Sequence, residues 1–219
     1  MLPREEVVQG LHQELLAFAD LVRSLDQREF TAPSRCEGWS VGDVVAHLIG
    51  AFADITAGRA EGQGTPEVSE RQAAERRGRT AAELAGELDE VAKRVDQMLN
   101  GLDDVSWSRQ ARGGYDMTLG QAMEAFWLGT YVHADDIRAA IGWPSERGSG
   151  LRASVHHAAD LLTQRGWGPA VLALDGMEEI PVGGGAAAGS GVQRVNDRWR
   201  SCWLPPAGPT PRTSASTGR

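Results

Sequence analysis

The chain has 219 residues, 41% of them hydrophobic and 24% charged, which supports a packed core and excludes a disordered or fibrous protein. A net charge of −8, without a dense Lys/Arg cluster, argues against nucleic acid as a partner. The opening Met-Leu-Pro-Arg-Glu-Glu lacks the form of a signal peptide, and no run approaches the ~18 apolar residues of a membrane span, so the expectation is a soluble cytoplasmic protein with no membrane partner.

Apolar residues recur at helical spacing from Pro3 to about Leu25 (Val7, Leu11, Leu15, Phe18, Val22), which predicts a first amphipathic helix. Ser40 opens a second, with Asp43 completing a capping box, Val44, Leu48, Ile49 and Phe52 forming its stripe, and Gly58 to Gly64 ending it. After a polar, Arg- and Glu-rich connection a third helix begins near Thr80 and carries Leu84, Leu88, Val91, Val95 and Leu99. The fourth runs from about Thr118 to Ile141. Four such stripes bury one another most economically as a four-helix bundle.

Past Trp143-Pro144 the pattern changes. Leu151 to Gln164 predicts a shorter helix, and Ala170 to Asp175 and Ile180 to Val182 predict short strands around Gly176. The Gly/Ala stretch from Gly183 to Gly191 lacks the setting and the Gly-Lys-Ser/Thr of a phosphate loop and reads as a linker. The expected organisation is a mainly α protein: a bundle over residues 1–145, a small α/β appendage over 146–200 and a disordered tail over 201–219.

Cys36 and Cys202 are the only cysteines and show no paired spacing, so no disulfide framework or thiolate metal site is indicated. His133 falls in the middle of the fourth helix's apolar stripe, between Phe126, Thr130 and Ile137, aimed into the bundle. There it needs a carboxylate, a backbone carbonyl or a metal as partner, and a hydrogen-bonded core histidine is the plainest reading. His47 lies at the flank of the second helix's stripe, on the side of Asp43, Gly50 and Asp54, where a solvated face is an equal reading. Asp136, three residues after His133, can ligate a metal, orient the histidine or form an ion pair. Asp135 and Glu124 point elsewhere, and His12, His156 and His157 supply no convincing ligand pair. Arg35 reads as a surface ion pair, Trp39 as a packing staple before the helix cap, and Cys36 as a thiol with nothing else marking it a nucleophile.

The stretch from Ala32 to Leu48, with its Gly-Trp-Ser-x-x-Asp-x-x-x-His pattern, and the later His133-Ala-Asp-Asp-Ile137 resemble the mycothiol-dependent maleylpyruvate isomerase family, within the DinB-like superfamily. The likeness covers roughly residues 1–145. It implies a DinB-like bundle that holds a divalent metal, usually zinc, through one histidine of the second helix and two residues one turn apart on the fourth. His47 and His133 match two of those ligands, while the third position falls on Gly129. A metal held there would draw on water, substrate or Asp136 to complete its shell, and Gly129 alternatively opens space for a ligand beside His133. The implied function is a metal-dependent thiol S-transferase or isomerase that uses mycothiol as cosubstrate on a small electrophilic molecule, with His47, His133 and Asp136 as its catalytic residues. The alternative is a metal-free member, for example of secondary metabolism, whose cavity serves acid/base chemistry or small-molecule binding. Oligomeric state is open, a homodimer being one option.

Overall fold

A computed structural model describes residues 1–113, 116–184 and 193–195. Among these the chain forms eight helices and three short strands. Residues 1–158 make one compact unit and a second begins at residue 159.

The first unit contains a four-helix bundle and runs on past residue 145 into the next helix. Its long helices are α1 (Arg4–Ser24), α3 (Val41–Thr56), α5 (Ala81–Asn100) and α7 (Leu119–Ala140). Three of them start on capping boxes, Ser40 with Asp43, Thr80 with Glu83 and Thr118 with Gln121, in which side chain and backbone N–H groups satisfy each other reciprocally. Each of α1 and α3 packs against both α5 and α7, so the four stripes meet on one axis. Val7, Leu11, Phe18, Val44, Ile49, Phe52, Leu88, Val91, Val95 and Ile137 are all fully buried there.

One close approach fixes the packing of α1 on α7. A Cβ at Gly10 would lie 2.0 Å from Trp127 Cη2, so only glycine lets the indole, 1% exposed, approach the α1 backbone this closely. The indole Nε1 donates to Glu14 Oε2 at 3.1 Å.

Three short helices occupy stretches where no periodicity is visible: α2 (Gln27–Phe30), α4 (Pro66–Ala74) and α6 (Asp104–Ser108). The polar connection after α3 is therefore partly helical. Asp54, 1% exposed, is the reason it folds back on α3, accepting from Arg59, Gln63, Arg71 and Gln72. Burial pushes this carboxyl up, but those donors outweigh it and hold it below its ordinary range.

Glu124 is also a correction to the sequence reading, because it is fully buried rather than turned outward. It accepts from the Leu2 backbone N–H at 2.8 Å and from His157 Nδ1 at 3.2 Å, the latter on α8 (Ser149–Gln164). Desolvation raises this carboxyl, and the two donors more than offset it.

In the second unit β1 (Ala170–Leu172) is central, antiparallel to β2 (Ile180–Val182) and parallel to β3 (Gln193–Val195). Ala170 faces Val182 and Leu172 faces Ile180. Pro181, which has no N–H to give, sits on an edge strand where none is required. The third strand was not expected from the sequence. The Gly/Ala linker beyond Gly184, Cys202 and the whole expected tail lie outside the described residues.

Candidate functional site

The loop from Ala32 to Ser40 and two turns of α7 build the site. The loop closes tightly: Ser34 N–H donates to the Trp39 carbonyl at 2.9 Å, Trp39 N–H to the Cys36 carbonyl at 3.0 Å, and Gly38 takes the left-handed φ of 79° that the reversal requires. This turn presents Arg35 and Cys36 to the acidic pair on α7. Arg35 Nε donates to Asp136 Oδ1 at 3.0 Å and its Nη2 to Asp135 Oδ2 at 2.6 Å.

Asp136 is a junction. Its Oδ1 is held by Arg35, while its Oδ2 lies 3.2 Å from His133 Nδ1 and 3.6 Å from Cys36 Sγ. Burial alone would raise this carboxyl, but the His133 hydrogen bond and the charges of His133 and Arg35 leave it below the usual range, ionised at neutral pH. An ionised carboxylate can only accept, so His133 Nδ1 must carry the proton and donate. The imidazole is thereby fixed as the tautomer whose Nε2 holds the free lone pair.

His47 comes in from α3. The two imidazoles stand edge to face with centroids 5.2 Å apart, and the Trp39 indole covers His47 at 5.1 Å. Desolvation, and secondarily the charge of His133, push His47 down to about 4 against the opposing Gln72 side chain and Ser69 backbone. At neutral pH it is uncharged. Among the described residues its Nδ1 is buried with no hydrogen-bond partner, as is Gln72 Oε1 on α4.

His47, His133 and Asp136 are thus brought together. Asp43 instead serves the cap of α3 and pairs with Arg77 at 2.7 Å, and Asp54 holds α4. Asp135 is not apart from the site, since it shares Arg35 with Asp136. Phe52 and Trp127 belong to the core, the Phe52 ring lying 5.0 Å from that of Phe126. Sequence reasoning missed Cys36 as a neighbour of Asp136, and Gln72 and Ser69 as neighbours of His47. Thr65-Pro66-Glu67, a cap followed by proline and an acid in the first turn, was the available signal for the helix that carries the latter two.

The model of the mycothiol maleylpyruvate isomerase N-terminal domain matches residues 11–138, more than half of the chain and the whole stretch that builds this site. The chain belongs to that family. Two solved structures share its fold: the mycothiol-dependent maleylpyruvate isomerase, at 19% identity and a TM-score of 0.59, and a histidine-to-alanine variant of it, at 18% and 0.60. Each alignment covers 83% of this chain and 80% of the other. Comparison with curated proteins gives no match.

This family member lacks one donor of the metal set its resemblance implies. Gly129 has no side chain, and a Cβ placed there meets nothing within 4 Å, so no neighbour has filled the position. His133 Nδ1 is already engaged by Asp136. Two imidazoles fall short of the three protein ligands usual for a catalytic zinc site, so the family's own set does not fit a metal here.

Proposed function

We propose that this chain is a thiol-dependent isomerase or S-transferase that uses mycothiol or a similar low-molecular-weight thiol on a small electrophilic substrate. Family membership supports the thiol and the isomerase-like chemistry. The observation that carries the reading is the Arg35–Asp136–His133 chain, which leaves His133 with a fixed free Nε2 beside a neutral His47.

His133 Nε2 takes the thiol proton, and Asp136 stabilises the imidazolium that forms. The thiolate adds to an electrophilic carbon. For a cis double bond conjugated to a carbonyl, addition leaves a single bond that rotates, and expulsion of the thiolate restores the double bond in trans. For a substrate with a leaving group, expelling that group instead yields the S-conjugate, and the imidazolium returns its proton to the departing group. Uncharged His47 can hydrogen-bond the substrate without adding a second positive charge. Cys36 is not the nucleophile: burial and the adjacent Asp136 push its thiol up, so at neutral pH it stays protonated. The open volume over Gly129 leaves room beside His133 for a ligand.

The test is turnover of maleylpyruvate with mycothiol, read as cis-to-trans conversion, with glutathione and no thiol as controls. Conversion that requires a thiol and falls in His133→Ala supports the reading. Conversion without thiol, or the absence of any turnover, contradicts it.

A further inference from the structure

Cys36, His133 and Asp136 each offer one donor atom, and the three atoms lie within 4.8 Å of one another. In a tetrahedral zinc site the metal–sulfur distance is about 2.3 Å and metal–nitrogen and metal–oxygen distances are about 2.0–2.2 Å, which sets adjacent donors roughly 3.3–3.7 Å apart. Here Cys36 Sγ is 3.6 Å and His133 Nδ1 3.2 Å from the shared Asp136 Oδ2, so the first edge has tetrahedral length and the second is only slightly short of it. The donor set of sulfur, nitrogen and oxygen is one that zinc accepts.

The surroundings supply what a cation would need. Arg35 holds the opposite oxygen of Asp136, as an outer partner orients a ligating carboxylate, and is itself neutralised by Asp135. A divalent cation with the Cys36 thiolate and Asp136 carboxylate would therefore be charge-balanced. Cys36 is held in place by its own N–H donating to Ser34 Oγ at 3.1 Å.

We infer that Cys36, His133 and Asp136 form a binding site for a thiophilic divalent cation such as zinc, which shares His133 with the incomplete set at His47 and Gly129 but differs from it in its other donors. Binding displaces the protons now on Cys36 Sγ and His133 Nδ1, and the neutral imidazole then carries its proton on Nε2. Where the thiol-dependent reading holds, occupancy therefore removes the base, and zinc inhibits turnover. That consequence rests on the proposed function, whereas the binding itself does not.

The experiment is a cobalt(II) titration of the full chain in a Cys202→Ser background, which leaves Cys36 as the one thiol, followed by absorption spectroscopy and competition with zinc. The site predicts one equivalent of cobalt with a thiolate-to-metal charge-transfer band. The band is lost in Cys36→Ser and in His133→Ala, with affinity weakened about tenfold or more, and is retained in His47→Ala. Thermal melting confirms that each variant is folded, and a Cys36→Ala variant guards against a residual hydroxyl ligand. The inference is overturned by no bound cobalt, by a spectrum without thiolate absorption, or by binding lost in His47→Ala and unchanged in Cys36→Ser. Because the readout is spectroscopic, a chain that binds cobalt but turns over no thiol overturns the functional proposal and leaves this one standing.

Discussion

Asp136→Asn tests the arrangement of the site most sharply, because the amide keeps the carboxylate's shape and removes its charge. Asp136 now accepts on both sides, from Arg35 Nε at 3.0 Å on Oδ1, with Nη2 in ion-pair contact at 2.9 Å, and from His133 Nδ1 at 3.2 Å on Oδ2. Asparagine has one oxygen for these two directions. With its NH2 toward His133, two donors face each other and the imidazole moves its proton to Nε2, which ends its use as a base. With its NH2 toward Arg35, the guanidinium loses one of its two acceptors and keeps Asp135. The tautomer change relieves the first orientation, His133 Nδ1 then accepting from the amide, so the cost falls on catalysis more than on stability. Loss of a partner that orients a histidine typically weakens activity about 10–100-fold, equivalent to roughly 1.4–2.7 kcal/mol in the transition state. The assay is kcat/KM for the thiol-dependent conversion, with nitrogen-15 NMR of the His133 ring to report which nitrogen is protonated. The reasoning fails if Nδ1 keeps its proton and kcat/KM stays within about twofold of the parent.

In a Cys36→Ser background, which removes the inferred Cys36–His133–Asp136 site, Gly129→Glu places a carboxylate one turn before His133 in open space and is expected to create zinc binding that His47→Ala abolishes, checked by metal content after dialysis; a metal-free variant would contradict the assignment of the missing donor. Gly10→Ala should lower the melting temperature by several degrees, because its Cβ would overlap Trp127 and overpacking costs about 1–3 kcal/mol. Gly86→Ala, exposed on α5 with nothing within 4 Å, should raise stability by about 0.5–1 kcal/mol, and calorimetry of the pair separates packing from helix propensity. Acid should destabilise the bundle in a specific window: His47, 6.5 when unfolded and about 4 when folded, leaves stability intact above pH 6.5 and removes up to roughly 3 kcal/mol as pH falls toward 4. Denaturant melts of His47→Gln between pH 7 and 4 should show a shallower decline than the parent. The ionised Glu124 contributes in the opposite group of side chains but with the same sense, its stabilisation being present above its unfolded value of 4.5 and lost as pH falls through its lowered folded value.

The long helices were legible because their stripes and caps are local signals. Ser40, Thr80 and Thr118 each lie at the cap where the sequence put the helix start, and His133 falls on the face its position implied. What the sequence concealed depends on contacts between distant segments. Nothing local says that Arg35 and Cys36 meet Asp136 a hundred residues later, since the turn that aims them is closed by Gly38 and backbone hydrogen bonds. Glu124 looked outward because a stripe predicts only the face toward the bundle, and α8 together with the N-terminal backbone supplies a second buried surface. The helix α4 has a weak apolar pattern and is held by the polar partners of Asp54 instead.

The account's central claim is that the Asp136-oriented imidazole of His133 generates a reactive thiolate. The most direct measurement is the rate of mycothiol-dependent conversion of maleylpyruvate by the parent chain and by His133→Ala, both stripped of metal and followed from pH 5 to 9. The account predicts thiol-dependent turnover in the metal-stripped parent that rises with deprotonation of a single group and is lost in the variant. Turnover that is independent of thiol, or that His133→Ala leaves unchanged, would contradict it.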